Sequence, residues 1–163
     1  MTVQHNASTR ETIPGNPTDL AAVRTLLQQF HDAWGDADAY ASVFTEDADY
    51  VAFDGTHAKG RRAIAESHRP LFERFLKGSR LFGESSAIRF LTPDVALIHS
   101  KGAVLRAGQQ RPSRGRMSVQ TLVAVKHADG WCLAAFQNTR YRPFAQTLVG
   151  KLLVLVGLAP RGS

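Results

Sequence analysis

Six histidines, three tyrosines and a handful of side-chain amides are the groups in this chain that could move or orient protons near neutral pH. His68 stands out because it lies four residues after Ile64 and four before Phe72, on the apolar side of a helix expected from Gly60 to about Gly78. An imidazole placed there needs a hydrogen-bond partner. His68 is therefore the first candidate for a general acid or base, with a structural histidine held by that same partner as the alternative. His99 alternates with Leu97 and Ala103 on a strand and faces either inward or toward a partner subunit. His57, in a loop after the first strand, is placed to cap a pocket mouth. His31 sits one step off its helix's apolar face, which assigns it to the surface, and His5 and His127 read as solvated. Among the amides, Gln120 shares a strand face with Ser118, and Gln137 shares one with Thr139 while Asn138 points to the other side. A buried amide in these strands either orients a ligand or fixes sheet backbone.

Other chemistries fail on inventory. No dinucleotide fingerprint, phosphate loop, zinc-protease helix or nucleophile elbow occurs, and Gly102, Gly108 and Gly115 do not form a phosphate cradle. Asp47 and Asp49 share a strand face, but two carboxylates beside a connector make a poor metal site, so neither a metal nor an organic cofactor is expected. The single cysteine, Cys132, excludes an internal disulfide and is compatible with a reducing cytoplasm, the expected location. The formal charge of +6 raises nucleic acid as a partner. Fifteen arginines dispersed along the chain, densest in the Gly/Gln/Pro/Ser-rich loop from Arg106 to Arg116, argue against a dedicated footprint. No signal peptide is apparent, and the longest apolar run, near Leu148 to Ala159, is too short to span a bilayer.

The elements that must position these groups form a two-part pattern. Residues 1–15 are polar and read as a mobile tail. Asn16-Pro17 is a helix start, and Leu20, Val23, Leu26, Leu27, Phe30 and Trp34 mark one face of the first helix. Asp36 to Phe44 is a short second helix, Asp47 to Phe53 a strand, and Asp54-Gly55 its turn. The third helix carries Pro70, which should kink it. From Arg80 the apolar period becomes two, giving strands Arg80–Leu91, Val95–Arg106, Arg116–His127 and Trp131–Tyr141. Helices followed by hairpin-linked strands imply one α+β domain over residues 16–143, three helices packed on a curved antiparallel sheet that encloses a pocket. Residues 144–163 form an apolar extension that packs on the sheet or a second protomer, closes the pocket as a lid or contacts a partner enzyme.

The segments FHDAWGDADAYASVFTEDADYVAFDG, GRRAI and GWCLAAFQNTR resemble the cone-shaped superfamily of nuclear transport factor 2, SnoaL-like cyclases and steroid Δ-isomerases, closest to the SgcJ/EcaC type encoded in enediyne and other polyketide clusters. The resemblance covers about Pro17 to Arg140. It implies a homodimer paired through the outer sheet face, a hydrophobic small-molecule ligand and, for a catalytic member, cofactor-independent acid–base chemistry on a polyketide-derived intermediate. The fold also serves non-catalytic binding modules. If the first strand keeps the family's phase, Ala48, Tyr50 and Ala52 face the cavity, making Tyr50 a pocket hydroxyl or a core residue with its OH at the rim. Phe30, Trp34 and Phe53 supply pocket wall, with core packing the alternative reading of Trp34, and the AAFQNTR end offers Gln137 or Asn138 as a pocket amide. Where the steroid isomerases need a carboxylate base and a tyrosine, this chain has Ala52 and Phe30, which disfavours that reaction.

Overall fold

A computed structural model describes residues 16–112, 115–142 and 147–156. The expected tail at residues 1–15 lies outside the described residues. Asn16 caps the first helix (α1, Pro17–Asp32), its side chain accepting from the Thr18 N–H at 3.0 Å. Asp36 caps the second (α2, Ala37–Ser42) by accepting from the Asp38 and Ala39 N–H groups. The first strand (β1, Phe44–Val51) starts three residues before the expected position and ends two before it. A three-residue strand (β2, His57–Lys59) pairs antiparallel with β1 where a loop was expected.

The third helix (α3, Gly60–Pro70) begins on Gly60 at φ +83°, against the Glu46 carbonyl, where a side chain would meet that oxygen at 2.8 Å. Pro70 has no N–H to continue the α-helical ladder. The chain widens into a π-helical turn, Leu71–Phe75, closed by the Leu76 N–H donating to the Leu71 carbonyl at 2.7 Å. Four longer strands follow: β3 (Arg80–Thr92), β4 (Val95–Leu105), β5 (Ser118–His127) and β6 (Gly130–Arg140). They match the expected runs to within two residues. A last helix (α4, Leu148–Leu155) lies in the C-terminal extension.

The six strands form one sheet in the order β2-β1-β6-β5-β4-β3. The sheet is mixed rather than wholly antiparallel, because β1 and β6 run parallel. The reason is topological: the helices carry the chain to the far edge, and the β3–β6 meander brings the last strand back alongside the first, running the same way. Register slips within the β1–β6, β3–β4 and β5–β6 pairs are bulges that curve the sheet around the helices.

The inner face is organised in cross-strand rows. Ile88, Ile98, Leu122 and Phe136 are in register, and Tyr50 continues the row from β1, its ring stacked on Phe136 at 4.6 Å between centroids. Val23, Leu26 and Phe30 of α1 are buried against this apolar floor. One row further on, Ser100, Gln120 and Asn138 are in register. The inner face therefore passes from a hydrocarbon core to a polar row, and the helices leave a hollow there.

Candidate functional site

The hollow is a cavity of about 90 Å³. It holds several water-sized molecules or a compact group, and is below the ~300 Å³ at which drug-sized pockets begin. Phe30 and His31 of α1, Trp34 just beyond it, Tyr40 of α2 and Tyr50 of β1 form one wall. Ser100, Ser118, Gln120 and Asn138 supply its polar lining from the sheet face that Tyr50 shares. Gly83 and Gly102 thin the sheet at the cavity: a side chain at 102 would strike the Phe82 carbonyl, and one at 83 would come within 3.0 Å of the His31 ring.

Behind Tyr50 lies His68, buried in a shell of aromatic rings from Trp34, Tyr40, Tyr50 and Phe72, with centroids 4.8–6.2 Å away. Its Nδ1 is 2.8 Å from the Ile64 carbonyl oxygen and its Nε2 is 3.2 Å from the Tyr50 hydroxyl. A carbonyl only accepts, so Nδ1 carries the proton and donates to it; Nε2 is then a bare lone pair and Tyr50 donates to it. With its proton committed, the Tyr50 oxygen accepts from Tyr40, 3.4 Å away, and keeps acceptor capacity toward the cavity it lines.

Burial sets the protonation states. It pushes the His68 imidazole below the ordinary histidine value, opposed by the bond to Ile64, so the ring is neutral at neutral pH. Burial also pushes the Tyr50 hydroxyl up to about 12, with the Tyr40 hydrogen bond opposing, and raises Tyr40 well above the ordinary phenol value. The arrangement is a neutral base reached through a neutral phenol. It can take a proton from a cavity-bound group without leaving a phenolate behind.

Tyr50, Phe30, Trp34, Gln120 and Asn138 line the cavity, and His68 stands one hydrogen bond behind it. The Trp34 indole N–H donates to the Ser79 hydroxyl at 3.0 Å, and the Gln120 amide donates to the Asn138 oxygen across a long 3.4 Å. Four residues expected at the pocket are elsewhere. Phe53 lies beyond the end of β1, 56% exposed, with the Arg140 guanidinium 5.1 Å above its ring. His99 and Gln137 are exposed on the outer face, because the phase set by buried Ile98 and Phe136 turns each away from the cavity. His57 caps no mouth: on β2, its Nε2 is 2.8 Å from the Asp49 carboxylate, which also accepts from Lys59.

His31, which the sequence assigns to the surface, belongs to the site. It lines the cavity, half-buried beside Phe30, and burial pushes its imidazole down while the nearby Asp32 charge opposes. The signal was a second helical stripe, Leu20, Arg24, Leu27 and His31 at steps of four, three and four, beside the more apolar one. Tyr40 and Ser100 carried no such signal. Among the described residues no three His, Cys, Asp or Glu side chains cluster as metal ligands, and no helix is long and apolar enough to cross a membrane.

The profile of the SnoaL-like domain matches residues 23–137. A Nostoc punctiforme domain of unknown function with a cystatin-like fold is 34% identical, with 86% of each chain covered and a TM-score of 0.73. An NTF2-like protein with a cystatin-like fold from Novosphingobium aromaticivorans is 22% identical over 84% of this chain and 89% of its own, with a TM-score of 0.64. A Catenulispora acidiphila protein in complex with S-DNPA is 22% identical over 77% of this chain and 95% of its own, also at 0.64. No curated protein matches the sequence.

Proposed function

Because this chain belongs to the family of SnoaL-like domains, we propose that its cavity binds a small hydrophobic molecule and that the Tyr50–His68 pair performs proton transfer on it. The observation that carries this reading is the hydrogen bond from the Tyr50 hydroxyl to His68 Nε2, anchored from behind by Ile64. A substrate C–H or O–H bond breaks as its proton moves to the Tyr50 oxygen. The Tyr50 proton passes to Nε2, and the negative charge left on the substrate faces an imidazolium stabilised by the Ile64 carbonyl. Return of the proton to another substrate atom completes an isomerisation, or prepares a cyclisation or elimination. Gln120, Asn138, Ser100 and Ser118 supply neutral donors and acceptors that orient the substrate's oxygen atoms.

The segments similar to SgcJ/EcaC-type proteins support a polyketide-derived intermediate as substrate, acted on without a cofactor in the cytoplasm. Half-buried Leu97, Val123 and Ala135 form an apolar row on the outer sheet face, which supports a homodimer through that face. The test is proton exchange. Wild-type protein is incubated in D2O with small β-diketones and enones of polyketide type, and loss of their acidic C–H signals is followed by NMR. Catalysed exchange that Tyr50→Phe abolishes supports the reading. Saturable binding without exchange in the wild type overturns the chemistry and leaves a carrier.

A further inference from the structure

Outside the cavity, between α1 and β3, runs an open groove of about 380 Å³, lined by Leu20, Arg24, Leu27, Gln28, His31 and Ile88. Leu27 and His31 also line the inner cavity, so these two side chains stand between the two spaces. The pair forms a waist. On one side of it are aromatic rings and neutral amides; on the other are aliphatic side chains and a guanidinium. Arg24 is exposed and has no ion-pair or hydrogen-bond partner among the described residues. The Gln28 amide donates to the Asp32 carboxylate at 2.8 Å, which occupies that acid. Among the described residues no carboxylate lines the groove. An inner cavity near 90 Å³ is also too small to enclose more than part of most organic ligands, and Leu27 and His31 are the side chains that the remainder of a longer one would pass to reach the groove.

We propose that the ligand is an anionic amphiphile: its apolar or ring portion occupies the inner cavity, its chain passes Leu27 and His31, and a terminal carboxylate or phosphate oxyanion meets Arg24 in the outer groove. This rests on the small-molecule reading of the cavity and adds the substrate class and a second subsite. Arg24 presents a planar fork of N–H donors suited to either oxyanion. Leu20 and Ile88 cover the methylenes between. Neutral ligands of the same length reach the cavity but gain nothing in the groove.

The test uses three probes with one chain, hexan-1-ol, hexanoate and hexyl phosphate, titrated by NMR into full-length wild-type protein and Arg24→Gln at low salt. Shifts of the Gln120 and Asn138 side-chain amides report cavity occupancy, and those of the Leu20 and Ile88 methyls report the groove. The expected result is hexanoate or hexyl phosphate binding about three- to fivefold tighter than hexan-1-ol in the wild type. That preference disappears in Arg24→Gln while hexan-1-ol affinity is unchanged. Which of the two anions shows the larger preference assigns carboxylate or phosphate. If hexan-1-ol moves the cavity amides but the anions are not preferred, or if Arg24→Gln keeps the preference, this inference fails and the cavity reading stands. If no probe moves the cavity amides, both fail.

Discussion

His68 Nε2 accepts the Tyr50 hydroxyl proton at 3.2 Å, and the tautomer that allows this is dictated from the opposite side of the ring by the Ile64 carbonyl 2.8 Å from Nδ1. The pair is one unit with a single way of sharing its protons. Each partner has a predictable effect on the other.

Tyr50→Phe removes the only described partner of Nε2 while keeping the stack on Phe136. A buried nitrogen left unpaired costs about 1–3 kcal/mol, which thermal or urea unfolding will register. Proton exchange on a bound substrate should fall by about 10²–10⁴-fold. A fully active Tyr50→Phe protein would remove the proposed chemistry.

Long-range ¹⁵N NMR of the imidazoles should show His68 with a protonated Nδ1 and a bare Nε2 at neutral pH. Tyr50→Phe should leave the Nδ1 proton in place, since Ile64 holds it. A His68 resonance with the proton on Nε2 would reverse the direction of the Tyr50 hydrogen bond.

Stability should depend on pH through His68 and His31, both lowered from 6.5 by burial. The sign follows from linkage. Below about pH 6.5 the unfolded chain takes up protons that the folded one refuses, so stability falls as pH drops through 6.5 and is level above it. The carboxylates lowered from 3.8, Asp19, Asp38, Asp49 and Asp54, contribute stability that is lost only at more acidic pH. Unfolding midpoints measured from pH 7.5 to 5.5 should therefore decline in the wild type, less in His68→Gln, and least when His31→Gln is added.

Gly102→Ala and Gly83→Ala separate two kinds of close approach. At 102 the obstacle is the Phe82 carbonyl of the paired strand, which cannot move without breaking the β3–β4 ladder, so a loss of about 1–3 kcal/mol is expected. At 83 the obstacle is the His31 ring, which can swing away, so stability should change by less than about 0.5 kcal/mol. The His31 resonances should shift in Gly83→Ala, because the waist of the cavity is what yields.

Deleting residues 144–163 should move the unfolding midpoint by less than about 4 °C, the shift that roughly 1 kcal/mol produces in a domain of this size. In α4, Leu148 is 88% and Leu155 81% exposed, so these side chains do not contribute to the core of the single chain. A larger drop would show that the extension packs on the domain. Loss of a dimer on size exclusion, with the midpoint kept, would assign it to an interface.

Periodicity was enough to place the helix faces of Val23, Leu26 and Phe30 and the four long strands, because burial selects residue type at every third, fourth or second position. It located His68 on an apolar face and required a partner for it, but could not name one. Tyr50 is 18 residues away in sequence, on a different element. Periodicity also left the strand phases open. Gln137 and Asn138 are equally polar, and only the contact of Phe136 with Tyr50 and Leu122 turns Asn138 inward and Gln137 out.

The sequence by itself determined the order of the first three helices and the four long strands and the apolar face of the first helix, since these depend on residue types at local spacings; that Ala52 stands where the steroid isomerases carry their base rests on the resemblance. The tertiary structure alone decided that β1 lies parallel to β6, that Tyr50 stands between His68 and the cavity, and that His31 lines that cavity. Those facts come from segments far apart in the chain brought within a few ångströms, where a hydrogen bond or a missing Cβ selects one arrangement. Local pattern carries no record of such distances.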